Sequence, residues 1–266
     1  MIKVIALDLD NTLLNSNKEI SSRNERVLKE LHARGIHVVL CTGRPINAIW
    51  PLIEQLGLTQ PDDYTITFNG GLVINNTSKE HLFELGMSRD DLQPLLNFVR
   101  QQQIPLDILD YDRVYELSDQ PRSIYKTVLK NIEFRDTKST DLPGTTYSKA
   151  VMAIPAEKLT PIIRELPAEL KEKYHAVQSQ PMIMEFLPPK VNKMVGLKAL
   201  LDHFGLDFTN LMSFGDADND LEMIQAAEQG IVMANGLPEV KKVATAITSS
   251  NDEDGVAEYC ERYFAM

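Results

Sequence analysis

The chain has 266 residues, 43% of them hydrophobic and 24% charged, which is typical of a globular protein with one large domain or two smaller ones. Its formal net charge of −11, from 38 acidic and 27 basic residues, argues against nucleic acid or an anionic membrane as the main partner. The N-terminal apolar run is broken at Asp8 and no run approaches the roughly 20 residues of a membrane helix, so neither a signal peptide nor a span is expected. Cys41 and Cys260 form no metal-spaced pair, which favours free thiols in a cytoplasmic protein.

The first predicted element is a buried strand over residues 4–7, followed directly by acidic side chains. Asp8 and Asp10 lie two residues apart where the strand ends, and Asn11 is a residue type that tolerates a left-handed turn. Alternation places both carboxylates on one side only if strand geometry continues. In a turn they could instead reach one ion, one through its side chain and one through its carbonyl oxygen. The alternative is that both residues simply cap the turn.

Strands and helices then alternate along the chain. Ser22 and Glu25 fit a capping box for a helix that Gly35 ends. A strand over residues 36–41, a helix from Pro45 to residue 57 and a strand over residues 64–68 follow. This order predicts βαβ units and a parallel sheet.

The pattern changes in the middle of the chain. Short strands, a helix beginning at Ser88 and strand-like alternation over residues 104–117 indicate a separate module with a mainly antiparallel sheet. The predicted fold is an α/β, Rossmann-like, doubly wound core with an inserted α+β module. Its expected boundaries are 1–82 for the first core segment, 83–188 for the insertion and 189–266 for the second core segment.

The returning core segment carries two further features. A helix over residues 191–204 has Lys193 near its start, and a buried strand over residues 211–214 ends at an acidic loop. Further strands over residues 230–233 and 246–248 and a closing helix over 253–264 complete the prediction.

Polar groups thus follow several strands at the edge where a parallel sheet brings its carboxyl ends together. The groups are Asp8, Asp10 and Thr12; Thr42, Gly43 and Arg44; and Asp216, Asn219 and Asp220. So many carboxylates could not all stay ionised there without a cation, and hard oxygen ligands suit Mg²⁺. Thr42 and the Gly43 backbone can donate to an oxyanion, and Lys193, ordinarily a solvated side chain, could balance a phosphate.

A calcium loop is a competing interpretation of the last cluster. Asp216, Asp218 and Asp220 match its first, third and fifth positions. Leu221 occupies the position that requires glycine, and Ala227 the position that requires a bidentate glutamate. The pattern therefore argues against calcium.

The four groups, in this order, resemble the motifs of the haloacid dehalogenase superfamily of phosphatases over nearly the whole chain. The matching segments are residues 8–14, residues 42–44, Lys193 within residues 191–198, and residues 215–220. The large insertion is similar to the C2-type cap of the Cof-like sugar phosphatases. Two departures are Asn11, where the family usually has glycine, and Met194, where close relatives often have glycine.

The resemblance implies a cytoplasmic phosphoric monoester hydrolase that uses Mg²⁺ and an aspartyl-phosphate. Asp8 would be the nucleophile and Asp10 the general acid and base. The metal would be held by Asp8, the Asp10 carbonyl and Asp216, with Asp220 acting through water. Thr42, Gly43, Lys193 and Asn219 would bind the phosphoryl group. The cap would close over the core, with Pro188–Pro189 and the segment 69–71 as candidate hinges.

Several points stay open at this level. A phosphomutase or phosphotransferase of the same superfamily, or a non-catalytic sugar-phosphate sensor, remains an alternative to a phosphatase of small phosphorylated metabolites. Arg44 could contact the substrate or only begin a helix. Candidate substrate-selecting residues are His81, Asp107, Tyr111 and Arg113. A monomer or weak homodimer is expected.

Overall fold

A computed structural model describes residues 1–129, 132–144 and 146–266 of the chain. The α-helices are α1 (Ser22–Ala33), α2 (Trp50–Leu56), α3 (Gln93–Gln102), α4 (Tyr125–Val128), α5 (Ala156–Arg164), α6 (Ala168–Lys173), α7 (Lys193–His203), α8 (Leu221–Ala226), α9 (Pro238–Lys241) and α10 (Gly255–Phe264). The strands are β1 (Val4–Leu7), β2 (His37–Leu40), β3 (Tyr64–Thr67), β4 (Leu72–Asn75), β5 (His81–Glu84), β6 (Asp107–Leu109), β7 (Arg113–Leu117), β8 (Glu133–Thr137), β9 (Lys149–Ala153), β10 (His175–Gln180), β11 (Ile183–Leu187), β12 (Leu211–Gly215), β13 (Gln229–Met233) and β14 (Ala246–Thr248). Within these described ranges, no helix combines the length and apolar character needed to cross a membrane.

The chain divides into two compact units, and the second is inserted into the sequence of the first. Unit 1 comprises Met1–Glu84 and Asn192–Met266, and unit 2 comprises Leu85–Val191. Unit 2 begins and ends slightly later than the bounds 83 and 188 expected from sequence. Its start is later because β5 first completes its antiparallel pairing with β4.

Unit 1 is built on a parallel sheet in the order β14-β13-β12-β1-β2, and this confirms the predicted α/β class. β1 lies at an inner position between β12 and β2, and all four of its residues are buried. Parallel strands covered on both faces read as continuous apolar runs, which is why this strand was recognisable from sequence. The loop after β1 therefore emerges between the loops that follow β2 and β12.

The third predicted strand departs from the simple parallel pattern. β3 pairs antiparallel with β4, which pairs antiparallel with β5, in a sheet of their own. A single parallel bridge between Cys41 and Ile66 connects β3 to the end of β2. A turn over residues 68–71 reverses the chain after β3, so β4 can pair with it directly without a crossover helix.

Several helix starts differ from the prediction, and at three of them capping or proline residues explain the difference. Ser21, not Ser22, caps α1 by accepting from the Asn24 amide, so Glu25 makes no capping box. The helix expected from Pro45 is split into a 3₁₀ turn (Ile46–Ala48) and α2, in whose first turn Pro51 lies. The helix expected at Ser88 begins near Pro94 instead, because proline favours a first turn and Ser88 bonds Asp91 in the preceding loop.

Unit 2 is an α+β module with a sheet in the order β10-β11-β9-β6-β7-β8. Its pairs are antiparallel except β7 with β8, and the β8 strand and the α6 helix were not predicted. One apolar cluster on this sheet packs with residues of α3, α5 and α6, including Leu95, Leu159 and Leu170. A second cluster, with Val151 and Tyr125, has α4 packed against it.

An unusual group in unit 2 is the carboxyl of Asp107 on β6. It is 1% exposed, and by ordinary hydrogen-bond geometry neither of its oxygens has a partner among the described residues. Burial raises the pKa of Asp107 to about 7, although the nearby Ser123 hydroxyl lowers it. That hydroxyl donates to the Ala153 carbonyl at 3.3 Å. Asp107 therefore holds a proton in the folded protein at pH values where an ordinary aspartate is ionised.

Asp107 is expected to make folding stability fall as pH rises. Its pKa is about 7 in the folded protein and 3.8 for an ordinary aspartate, so the folded state binds the extra proton between these values and stability is lost as pH rises through them. Between pH 5 and pH 8, the free energy of unfolding of the wild type should fall by about 2–3 kcal/mol relative to that of Asp107→Asn, as measured by urea unfolding. The exposed Asp112→Asn is the control in the same module. If the free energy of unfolding changed equally with pH in the Asp107 variant and the wild type, this assignment would be contradicted.

Candidate active site

The centre of the site is a buried ion cluster at the carboxyl end of the parallel sheet. Asp8 follows β1, and its Oδ1 accepts a hydrogen bond from the Lys193 Nζ at 2.5 Å. The same Nζ donates to Asp220 Oδ1 at 2.6 Å, and the Lys193 side chain is fully buried. Asn192 caps α7 by accepting from the Val195 amide, which fixes the start of the helix that carries the lysine. The structure therefore places Lys193 between carboxylates from two neighbouring strand ends.

Asp216 completes this cluster. Carboxylate oxygens of Asp8, Asp216 and Asp220 lie within 4.8 Å of one another, and all three residues are buried. The Thr12 hydroxyl donates to Asp216 Oδ1 at 3.0 Å and so holds its carboxylate in place. Asp220 Oδ2 accepts from the backbone amides of Asp216 and Ala217, at 2.9 and 3.1 Å. Both Asp220 oxygens thus have protein partners, which suits a supporting role in the loop better than direct metal ligation.

The charges in the cluster do not balance. Burial raises the pKa of Asp8 to about 7, although the Lys193 charge opposes this, and burial and Asp220 raise that of Asp216 to about 6. Burial alone would lower the Lys193 pKa, but the Asp8 and Asp220 charges outweigh it and raise the value. One ammonium can offset only one of three carboxylates. The oxygen-rich, negatively charged cluster therefore fits a divalent cation such as Mg²⁺.

Asn11 adopts the left-handed conformation that its position demands. Its φ is +60°, and its carbonyl oxygen accepts from the Asn235 side chain at 2.8 Å. Asparagine is the residue besides glycine that enters this region most readily, so the backbone conformation at this position is compatible with the departure from the family pattern.

The predicted phosphate-binding residues lie on the loops around this cluster. Thr42 is buried, and its Oγ1 accepts from the Arg44 amide at 3.1 Å, which leaves its own hydroxyl hydrogen available to a ligand. Asn219 is exposed on the loop after β12, and its Nδ2 donates to Asn69 Oδ1 at 3.1 Å. Asn69 also lies against Gly43, where an added Cβ would be 2.9 Å from Asn69 Oδ1. From the sequence, residue 69 is predicted only as part of a hinge, although the Asn-Gly pair after the third strand end is a usable signal for a site residue.

Asp10 lies apart from the buried carboxylates and is held by two cations. Arg44 donates to it through Nε and Nη2, at 2.8 and 2.6 Å, and Lys18 Nζ donates at 2.9 Å. Partial burial opposes the effect, but these partners lower the pKa of Asp10. Arg44 therefore contacts a predicted catalytic side chain, and the contact of Lys18 had no signal in the sequence. In this conformation Asp10 is a carboxylate, suited to accept a proton.

The candidate substrate-selecting residues are scattered. His81 lies in unit 1 on β5, where it contacts Glu84, whereas the other three lie in unit 2. Asp107 and Tyr111 are buried. Arg113 is near Asp110 and Glu133, at 4.0 and 3.9 Å. The four candidates are therefore divided between the two units.

Comparison with known proteins assigns the family. Residues 5–260 match the model of the haloacid dehalogenase-like hydrolases. A provisionally named phosphatase of Bacillus subtilis, YxeH, is 34% identical over 262 residues, which cover 97% of this chain and 96% of that protein. A provisionally named phosphatase of Streptococcus pyogenes is 32% identical over 264 residues, covering 98% of each. The crystal structure of a haloacid dehalogenase-like hydrolase from Bacteroides thetaiotaomicron is 35% identical with a TM-score of 0.83, over 99% of this chain and 100% of that one. The chain therefore belongs to the haloacid dehalogenase-like hydrolases, and it is a phosphatase of that family.

Proposed function

We propose that this phosphatase hydrolyses small phosphorylated metabolites, with sugar phosphates as the main class, through an aspartyl-phosphate at Asp8 and with Mg²⁺ bound. The observation that carries the proposal is the buried Lys193 ammonium, 2.5 Å from Asp8 and 2.6 Å from Asp220, beside Asp216. Burying a lysine ammonium away from water costs free energy, which its pairing with carboxylates must offset. Clusters of such perturbed charged groups are concentrated at functional sites.

The residues divide the reaction into two steps. Asp8 attacks phosphorus, a bond forms between its carboxylate oxygen and the phosphoryl group, and the ester oxygen leaves with a proton from Asp10. Asp10 then takes a proton from water, which attacks the phosphoryl group, releases inorganic phosphate and restores Asp8. Asp10 must take up a proton and loosen its pairing with Arg44 and Lys18 before the first step, because in its paired state it is ionised.

Binding of the phosphoryl group is assigned to the residues around Asp8. Lys193, Thr42, the Gly43 backbone and Asn219 would donate to its oxygens, and Lys193 also reduces the repulsion between the phosphate and Asp8. Donors fixed in place before the reaction stabilise the developing charge without reorganisation. Asn192 and the α7 helix supply that rigidity for Lys193.

The Mg²⁺ site is assigned to Asp8, Asp10 and Asp216. The carboxylates of Asp8 and Asp216 and the Asp10 carbonyl would be direct ligands, with Asp220 acting through water since both of its oxygens have protein partners. When bound, Mg²⁺ would neutralise charge on the phosphoryl group and orient it.

Phosphate release from an aryl phosphate, with and without Mg²⁺, tests this proposal. Removal of metal with EDTA is expected to lower the rate at least about 100-fold, and added Mg²⁺ should restore it. A panel of sugar phosphates then tests the substrate class. A full rate after metal removal would exclude the metal assignment. Binding of sugar phosphates without any turnover would instead favour a sensor, and isomerisation with little phosphate release would favour a mutase.

A further inference from the structure

The turn over residues 68–71 has an unusual backbone. Phe68, Asn69 and Gly70 are consecutive, and their φ values are +51°, +55° and +96°. Asparagine tolerates this region, but for phenylalanine it is unfavourable, so the surrounding contacts must maintain the turn. Strained turns of this kind concentrate at binding and catalytic sites.

The backbone of this turn contacts two loops that carry predicted phosphate-binding residues. The Asn69 amide donates to the Thr42 carbonyl at 3.0 Å. At Gly70, an added Cβ would lie 2.0 Å from the Asn192 carbonyl oxygen and 3.1 Å from the Lys193 Cα. The turn is therefore packed directly against the start of α7, where no side chain at position 70 would fit.

The Asn69 side chain reaches a third loop. Its Oδ1 accepts the 3.1 Å hydrogen bond from Asn219 Nδ2. Asn69 follows β3 and Asn219 follows β12, and the strands β1 and β2 separate them in unit 1. The pair of amides thus joins loops on opposite sides of the strand ends that carry Asp8 and Thr42.

We propose that Asn69 is a positioning residue of the phosphate site, acting through Asn219. Asn219 is exposed, and its amide has two N–H hydrogens. Donation of one hydrogen to Asn69 fixes the plane of the Asn219 amide and leaves the second hydrogen for a phosphoryl oxygen. The inference rests on the proposed function, because it assigns the Asn219 amide to the phosphoryl group. Asn69 acts by fixing a donor before the phosphate arrives, which lowers the entropy lost on binding.

Asn69→Gly is the direct test, because glycine keeps the left-handed backbone and removes only the side chain. It is expected to lower kcat/KM for an aryl phosphate about tenfold and to weaken inhibition by orthovanadate by a similar factor. In the Asn219→Ala background, the same substitution should change either quantity less than about twofold, since the positioned group is absent. Gln103→Gly is the matched control, because Gln103 is also left-handed, with φ +53°, but ends α3 in unit 2.

Each outcome decides between this inference and its alternatives. An Asn69→Gly enzyme that matches Gln103→Gly would overturn the proposal. Equal losses in both Asn219 backgrounds would also overturn it and would instead indicate a hinge or a structural role. Orthovanadate affinity is measured on all variants, so the coupling is tested even if the wild type releases no phosphate. A wild type that neither turns over nor binds the anion would refute the proposed function together with the inference.

Discussion

Asp8→Asn is expected to abolish phosphatase turnover while the protein stays folded. The amide has nearly the same shape as the carboxylate but cannot attack phosphorus, so the rate should fall at least about 10³-fold. Lys193 keeps its 2.6 Å contact with Asp220, which preserves one of its two ionic partners. The measurement is phosphate release from an aryl phosphate, together with acid-quench mass spectrometry of the peptide that contains Asp8. The wild type should show one added phosphoryl group on that peptide, and the variant none.

Asp218→Asn is the matched control for this experiment. Asp218 is exposed in the same acidic loop as Asp216, and no role at the phosphate is assigned to it. It should retain near wild-type turnover. A phosphorylated peptide elsewhere in the chain, or wild-type turnover by Asp8→Asn, would show that the nucleophile is another residue.

Lys193→Met is expected to have the largest combined effect on activity and stability. Methionine fills much of the same space but leaves Asp8 and Asp220 buried without their shared cation. Breaking a buried ion pair from one side costs about 3–5 kcal/mol, and loss of a preorganised cation at the phosphate lowers the rate about 10²–10³-fold or more. Urea unfolding and turnover of the same preparation measure the two effects separately.

Lys198→Met on the same helix provides the comparison. Lys198 pairs with Asp202 at 2.5 Å, and both side chains are more than half exposed. Solvent screens such a pair, so its loss should change the stability by less than about 1 kcal/mol and leave turnover unaffected. If the two lysine variants were equally stable, the buried cluster would not contribute to the fold as described.

Local sequence patterns were sufficient for the elements that carry the site. The apolar runs before Asp8, Thr42 and Asp216 are continuous because both faces of a parallel strand are covered, and β1, β2 and β12 lie where they were predicted. The helices predicted from Pro45 and Ser88 begin later in the structure. Proline favours the first turn of a helix, and Pro51 and Pro94, not the residues chosen from sequence, occupy those turns.

Local sequence patterns predicted the α/β class, the inserted module and the residues that lie around Asp8. These follow from hydrophobic periodicity, turn chemistry and motif order, which are properties of short segments. The contacts between side chains are seen only in the folded protein. There Lys193 lies between Asp8 and Asp220, Arg44 and Lys18 hold Asp10, and Asn69 contacts Asn219. The Lys193–Asp8 contact joins residues 185 positions apart in the sequence, and the Asn69–Asn219 contact joins residues 150 positions apart. Such pairs depend on how strands are ordered in the sheet and how loops pack above it, which no local pattern specifies.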